Sequence, residues 1–565
     1  MREVATDVCI IGGGVGGVAA LLACTRAGVR CLISDPTAWL GGQLTSQGVP
    51  PDENQWVESF GATRTFQELR SRVRQSALAD GARERAVEPF GAFNPGGGWV
   101  SRCCAEPSRW HQQILKLINE THAHALPGTT PTMLLFQEPM AAEISGDSIR
   151  SVTLRDTRSG ECVVVTARIF LDATETGDLL PLTGAEHAIG AEHADVYQEL
   201  HGRTDFPASQ RLDPLDQQAC SWCFALEHRP GQDHTIARPH SYDWWRAYSP
   251  GLAGDGANPG VPMSPPWTGP LFSWTVPSHN EAGRREFAMA PWPDEPAKDQ
   301  LEMWRYRRIV DASIWPPKSP HPDVTVINMV QMDYWQRPLL GVEPAQRDQA
   351  LREARQQSLA WLYWMQTEAP RHDSASRLGY PGLKLRPDEL GSADGFAQHV
   401  YIREPRRLIA RVMMTEGHIG TQQRALAGHT QDANWSATPH GSAHAFPDSI
   451  AIGHYPIDLH PSCAGRNNLY LPCAPYQVPM GALIPVRLTN ILSAGKSLGV
   501  SHIVNATTRM HHSEWAIGEA AGTLAAICTQ TNSTPHAIHG APAQLAQVRD
   551  ALTAGGAPIQ WPWDR

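Results

Sequence analysis

Six residues near the start of the chain, Gly12-Gly13-Gly14-Val15-Gly16-Gly17, restrict its fold more than any other stretch. They fit Gly-x-Gly-x-x-Gly at positions 12, 14 and 17. The apolar run Val8 to Ile11 precedes them and reads as a buried parallel strand. After them Val15, Val18, Ala19, Leu22 and Ala23 recur on one helical face up to Ala27, and Gly28 stands where a C-terminal cap belongs. Cys31 to Ile33 reads as the next strand. Strand, turn, helix and strand within about 30 residues is the length of a βαβ unit. In that setting Gly12 permits the tight turn, Gly14 lets a pyrophosphate approach the backbone, and Gly17 lets helix and strand pack closely. The helix N-terminus offers unpaired N–H groups and partial positive charge to phosphates. Asp35, 21 residues beyond Gly14, is placed to accept hydrogen bonds from ribose hydroxyls and to disfavour a 2′-phosphate.

Three later elements turn "dinucleotide" into FAD. Leu40-Gly41-Gly42-Gln43-Leu44-Thr45 follows the second strand directly and resembles the double-glycine element of two-dinucleotide-binding flavoproteins, where the chain runs beneath the flavin end of FAD. Ile169 to Asp178 is an apolar strand ending in an Ala-Thr-x-x-Gly turn, similar to the second signature of that superfamily; it adds Thr174, Gly177 and Asp178 to the cofactor candidates. Near the other end, Asn490 to Ser497 reads as a strand running into Gly495 and Lys496, followed by a small-residue helix over His511–Thr529 that carries Gly518 and Gly522. Small residues there permit close packing against a sheet or a flat ring, and the helix dipole could stabilise charge at the N1–C2=O edge of a reduced flavin.

The combination of GGGVGG, LGGQLTSQG, FNPGGGWVSRCCAEP, LDATETGDLLPL, INMVQMDY, YIREPRRLI, DSIAIGHYPIDLH and NILSAGKSL…GEAAG resembles the FAD-dependent oxidoreductase family, related in fold to the fumarate reductase and succinate dehydrogenase flavoproteins. The resemblance runs from about residue 5 to 530. It implies FAD, covalent or not, and an α/β fold: a Rossmann-type FAD-binding domain split in sequence, with an inserted α+β cap or substrate domain. The expected division is residues 1–200 and 465–535 for the FAD-binding domain, 201–464 for the cap, and 536–565 for a C-terminal tail.

Within these bounds, a helix is expected over Ala105 to Asn119, β-rich stretches over residues 132–144, 151–154 and 162–171, and the longest amphipathic helix over Pro344–Thr367. Residues 229–300, rich in Pro, Gly and Trp, read as long ordered loops; nineteen Trp in the chain point to pockets or broad aromatic packing. A net charge of −10 without a basic run argues against nucleic acid and anionic membrane surfaces. No apolar run reaches the roughly 20 residues that cross a bilayer. The first residues go straight into a strand, without signal-peptide features, and eleven scattered Cys are too sparse for a disulfide scaffold. The expectation is a cytoplasmic, reduced protein.

Catalytic candidates lie in the middle of the chain and in its return to the flavin unit. Tyr401-Ile402-Arg403-Glu404-Pro405-Arg406-Arg407 offers three guanidinium groups; Arg403 could clamp a carboxylate or polarise a carbonyl, and ion pairing is the structural alternative. Asp448 to His460 alternates loosely as a strand, with Ile450, Ile452 and His454 on one face, Tyr455 opposite and Pro456 as its end. The His460 imidazole, with a reference pKa of about 6.5, suits proton removal from an alcohol or amine, and Asp458 could orient it. His502 is the second choice, with His511 and His512 as rivals; Asn328 and Asp333-Tyr334 sit in a family-like segment whose role stays open. Cys220-Ser221-Trp222-Cys223 has CxxC spacing but no second CxxC or Cys/His pair, so no metal site is expected, and without a second GxGxxG for NAD(P)H a redox relay to the flavin is not expected either.

The expected reaction is oxidation of a small organic substrate at an alcohol or amine carbon by hydride transfer to flavin N5, with reoxidation by oxygen or an external acceptor. A flavin-dependent monooxygenase and a non-catalytic flavin-binding regulator are the alternatives. Oligomeric state is not legible.

Overall fold

The computed structural model describes residues 2–84, 92–123, 128–253, 266–277, 284–289, 301–317, 319, 321–429 and 443–564. Its centre is a five-stranded parallel sheet in the order Ile491–Ser493, Ile169–Asp172, Val8–Ile11, Cys31–Asp35, Thr132–Leu135. The strand order brings Ile491–Ser493, from near the end of the chain, beside Ile169–Asp172 and one strand away from Val8–Ile11. Both faces are covered, which is why the strands are continuous apolar runs. Side chains alternate across the sheet: Val8, Ile10 and Ile33 join a core with the helices Val15–Arg26, Pro107–Ala123 and His511–Thr531. Cys9, Ile11, Leu32 and Phe170 meet Val152, Leu154 and Val165 of a four-stranded sheet on the other face.

That layering divides two of the stretches expected to be β-rich, residues 132–144 and 162–171, between sheets. The chain breaks at Phe136, in the left-handed region with φ +59°, so Thr132–Leu135 pairs in the central sheet and Gln137–Ser145 in the outer one. Cys162–Thr166 and Ile169–Asp172 likewise belong to different sheets. Apolar alternation reports burial of a face, not which layer covers it.

The His511–Thr531 helix lies against the Val15–Arg26 helix at backbone distance. A Cβ on Gly518 would overlap the Gly16 carbonyl, and one on Gly522 would stand 2.5 Å from Ala20 O. Cys24 Sγ donates to Gly522 O across the contact at 3.4 Å. Gly518 and Gly522, expected at the cofactor, therefore serve helix packing: their open sides face another helix.

A second core fills the middle of the chain. Strands Arg308–Val310, Val324–Ile327, Phe224–His228 and Leu383–Leu385 form an antiparallel sheet. The Pro344–Thr367 helix packs beside it, its first turn closed by a Glu343–Gln346 capping box with Pro344 at the first position. Tryptophans supply much of the packing: Trp245, Trp267, Trp274, Trp304, Trp335 and Trp361 are all buried there. Of the stretch read as long loops, Tyr242–Ala247 is a helix and Thr275–Pro277 pairs with Arg284–Ala288; residues 254–265, 278–283 and 290–300 lie outside the described residues.

Two parts outside the central sheet pack on the first core. Ser449–Gly453 pairs with Tyr476–Pro479 and Ile457–Leu459 with Leu469–Leu471, so Pro456 separates two strands with different partners. Ile450, Ile457 and Tyr476 share the core of Val15 and Trp515. Residues 536–565, expected as a C-terminal tail, contribute most of the helix Pro535–Gly540 and all of Pro542–Gly555, which bury Ile538, Val548 and Leu552 in that core. Among the described residues no helix is long and apolar enough to cross a membrane.

Candidate active site

The glycine turn needs its glycines for geometric reasons. Gly12 has φ +100°, and a Cβ there would overlap the Ala173 carbonyl. The second glycine element docks on the first: Gly41 N donates to Gly13 O at 2.7 Å, with φ +113° at Gly41 and +48° at Gly42. Gly14, Gly42 and Glu175 converge; a Cβ on either glycine would stand 2.8 or 2.7 Å from Glu175 Oε1. The third element is tied off by Thr174, which donates to Asp172 Oδ1 and accepts from Asp178 N, both at 2.7 Å; Gly177 takes φ +65° in the same turn.

These elements open on a cavity of about 250 Å³ lined by Gly12, Gly14, Asp35, Gln47, Glu175 and Asp178, among others. Asp35 accepts from Gly13 N at 3.1 Å and from Thr37 N and Oγ1 at 2.8 and 2.6 Å. Burial pushes its pKa up to about 6, so it remains a carboxylate above that pH. Lys496 is fully buried, ion-paired with Glu175, and donates to Ile402 O at 2.8 Å. Glu514 Oε1 accepts from Gly16 N at 3.4 Å, its other oxygen accepts from Gln43 Nε2 at 2.5 Å, and Gly495 stands beside it. The set fits a dinucleotide: side-chain-free backbone lies at the cavity wall, and Glu175 Oε1 and both amide atoms of buried Gln47 have no hydrogen-bond partner.

Arg509 joins this cradle to a second cavity. Its carbonyl accepts from Gln43 Nε2 at 3.0 Å, while its guanidinium donates to Tyr401 Oη at 2.8 Å and Asp458 O at 3.0 Å. The second cavity, of about 160 Å³, brings together Asp52, Arg307, Tyr455, Asp458, His460 and Arg509. His460 Nδ1 lies 2.6 Å from Asp333 Oδ2 and Nε2 lies 3.3 Å from Asp458 Oδ2. Asp333 is buried, accepts from Ser221 Oγ at 2.6 Å, and is ion-paired with Arg403 at 2.9 Å, which holds its carboxyl below the usual range despite burial. Alternation along Ile457–Leu459 turns Asp458 and His460 to this cavity and Leu459 away.

The family model described as FAD dependent oxidoreductase matches residues 7–552. The chain belongs to that family. Its cofactor is FAD, and the α/β architecture with a parallel central sheet is that of FAD-binding oxidoreductases. No curated protein matches the chain. Among solved structures it is similar to a geranylgeranyl bacteriochlorophyll reductase-like protein from Thermoplasma acidophilum, at 8% identity over 98% of this chain and 84% of that one, TM-score 0.33. It is also similar to the flavin-dependent monooxygenase PieE, 12% identical over 63% of this chain and 47% of that one, TM-score 0.25. A third is the L-proline dehydrogenase of P. horikoshii, 15% identical over 34% of this chain and 26% of that one, TM-score 0.17. The chain thus spans less than half the length of the latter two, and the family model carries the identification.

The remaining sequence candidates of this FAD-dependent oxidoreductase fall in different places. Tyr455 lines the second cavity, and burial holds its phenol well above the ordinary range, so it stays protonated. Asn328 also lines it, its Oδ1 buried without a partner. Arg403 reaches the cavity but donates to Ala219 O and Ser221 Oγ at 2.8 and 2.9 Å besides pairing with Asp333; its terminal nitrogens are engaged by protein groups, and only Nε has no partner. His511 and His512 sit where the last long helix begins, and burial lowers both, His512 to about 3, so both are neutral at physiological pH. Cys220 and Cys223 are buried thiols pushed up to about 12, which makes poor nucleophiles. Among the described residues no group of three or more His, Cys, Asp or Glu is arranged to hold a metal.

His502 is not beside His460. It lines a third cavity of about 240 Å³, with Nδ1 2.7 Å from Glu404 Oε1 and Nε2 3.1 Å from Arg466 Nη2. The same cavity holds Glu199, pushed up to about 8 by burial and by the Glu192 and Glu416 carboxylates. Between the ordinary 4.5 and about 8 the folded state keeps a proton that the unfolded state has lost, so stability falls as pH rises through that window. Glu199→Gln removes this slope: its Tm should match wild type near pH 4.5 and exceed it at pH 8. Parallel Tm profiles for the two proteins would clear Glu199 of the effect.

Sequence reading missed Arg307 and Arg509 altogether and left Asp333 without a role. A partner 127 residues away in the chain leaves no periodic signal, and only the INMVQMDY segment marked Asp333 at all.

Proposed function

We propose that this FAD-dependent oxidoreductase removes two electrons from a small organic substrate, an alcohol or an amine, held against His460. One observation carries the reading: an imidazole anchored at Nδ1 by the buried Asp333 faces a cavity that Arg509 joins to the glycine cradle. FAD, when bound, supplies the two-electron acceptor. The backbone at Gly12, Gly14, Gly41 and Gly42 would hold the dinucleotide, with Asp35 on its ribose and the turn of Thr174, Gly177 and Asp178 packed beside Gly12. Gly495 and Lys496, next to Glu514 and Glu175, close the same cradle. This divides the chain as a split FAD-binding unit around an inserted cap.

His460 moves the proton. Asp333 accepts from Nδ1–H, fixing the tautomer that leaves the Nε2 lone pair for the substrate O–H or N–H. Asp458, approached by Arg509 Nη2 at 3.4 Å, lies 3.3 Å from Nε2 on the cavity side and accepts from Nε2–H once the imidazole has taken the substrate proton. Protonated Tyr455 donates to a substrate oxygen, and Arg307, 3.6 Å from Asp52 Oδ1, adds positive charge beside it. Oxygen or an external carrier takes the electrons onward.

Anaerobic addition of a metabolite panel to the FAD-loaded protein tests the reading. Bleaching of the flavin by one alcohol or amine alone is the expected result. Bleaching only with NAD(P)H would replace it with a monooxygenase, and no bleaching by either would leave a flavin-binding protein without this chemistry.

A further inference from the structure

The cavity beside the glycine cradle is unfavourable for an anion on its own account. Four carboxylates line it: Asp35, Glu138, Glu175 and Asp178. A pyrophosphate adds further negative charge within a Debye length of all four. Most cations nearby are already committed. Lys496 is paired with Glu175, and Arg406 donates to Asp178 Oδ1 at 3.0 Å and to Thr176 O at 2.9 Å. Glu138 is paired with Arg155 outside the cavity.

One lining cation has no carboxylate partner among the described residues, and it comes from the middle of the chain. Arg347 stands in the first turn of the Pro344–Thr367 helix, where its N–H bonds Glu343 O at 3.1 Å, and it reaches the cavity wall beside His399 and Arg406. A guanidinium at a helix N-terminus is misplaced for the helix, because it meets the positive end of the dipole. The same placement is favourable for an anion in front of it, since the charge and the dipole then act together. Gln47, fully buried with both amide atoms unpartnered, lines the same space and marks it as a site for a polar ligand.

We infer that Arg347 is a pyrophosphate-binding residue for FAD, contributed by the cap helix rather than by the Rossmann unit. The inference rests on reading this cavity as the seat of the dinucleotide. It also gives the cap a direct hold on the cofactor. Ten residues further along the helix, about 15 Å at 1.5 Å per residue, Gln357 donates to Asp333 O at 2.8 Å and Gln331 O at 3.0 Å. One rigid element therefore runs from the cofactor cavity to the backbone of the residue that anchors His460.

The test is FAD affinity, read by quenching of flavin fluorescence on reconstituting the full-length apoprotein. Arg347→Gln should weaken FAD binding about tenfold or more at low salt, the scale of a lost charge-assisted hydrogen bond. Arg347→Lys should recover part of the loss, and the difference from wild type should shrink at high salt. Arg352→Gln, on the exposed side of the same helix, should bind FAD as wild type does. Riboflavin, which lacks the pyrophosphate, should bind Arg347→Gln and wild type equally. Wild-type FAD affinity in Arg347→Gln, or equal losses for FAD and riboflavin, would overturn the assignment. A Gly14→Val variant separates the two readings: if it loses FAD while Arg347→Gln does not, only the arginine is misassigned. If it too keeps FAD, the cavity is not the cofactor's and both readings fall.

Discussion

Replacing His460 by Ala slows substrate-driven flavin reduction by about 100- to 10,000-fold, the usual range for loss of a positioned general base. FAD affinity should stay at the wild-type value, because His460 contacts the second cavity and not the glycine cradle. Asp333→Asn tests the anchor separately. The amide can present its oxygen or its N–H₂ to Nδ1, so the tautomer is no longer fixed and the rate should fall with the imidazole still in place. The change also leaves the Arg403 guanidinium buried opposite a neutral group, which carries a stability loss of its own, about 3–5 kcal/mol for a broken buried pair. The pH profile of flavin reduction therefore decides the matter: a positioning role shifts or abolishes the ionisation seen in wild type, while a purely structural one lowers the amount of folded enzyme and leaves the profile alone. A His460→Ala protein with wild-type rate and profile would remove the base assignment.

Gly518→Val is expected to destabilise the protein by about 3 kcal/mol or more, since overpacking against backbone leaves no flexible side chain to yield. The added carbons would meet the Gly16 carbonyl and Cα, and Gly16 itself lies against Ala494. Relief would require the two helices to separate, and the His511–Thr531 helix carries Trp515, Ile517, Ala521 and Leu524 in the main core. Gly540, with nothing within 4 Å of its added Cβ, is the control: Gly540→Ala should be neutral or slightly stabilising. Denaturant midpoints for the two variants check both statements. Equal midpoints would mean that the helix contact is looser than it looks.

Local features of the site were legible where a short segment carries all the constraints. The turn at residues 12–17, the Gly41-Gly42 element and the turn at residues 172–178 each pair a required backbone conformation with a flanking strand or helix, and these neighbours are adjacent in sequence. The Pro344–Thr367 helix was readable for the same reason: its proline start and capping box are local. Gly518 and Gly522 show the limit. Sequence marks them as positions where something must approach closely; it does not name what approaches, and the backbone they meet is that of the Val15–Arg26 helix.

The middle of the chain was least legible. Its tryptophans announce a packed aromatic core but not its shape, because a Trp-rich run without periodicity is compatible with many arrangements. The pairing of Asp333 with His460, the placement of His502 in a separate cavity, and the arrival of Arg347 at the cavity beside Gly12 and Gly14 depend on contacts between distant segments.

By itself, the sequence determined a dinucleotide-binding βαβ unit and, through its ordered set of glycine elements, the FAD-dependent family. Backbone conformation and close approach are properties of a few consecutive residues, so they are written locally. Tertiary structure alone decided which carboxylate anchors His460, which histidines stand apart, and which glycines serve packing. Those outcomes follow from how layers stack and which loops meet, and a side chain's charge or size specifies what it needs without specifying which distant residue supplies it.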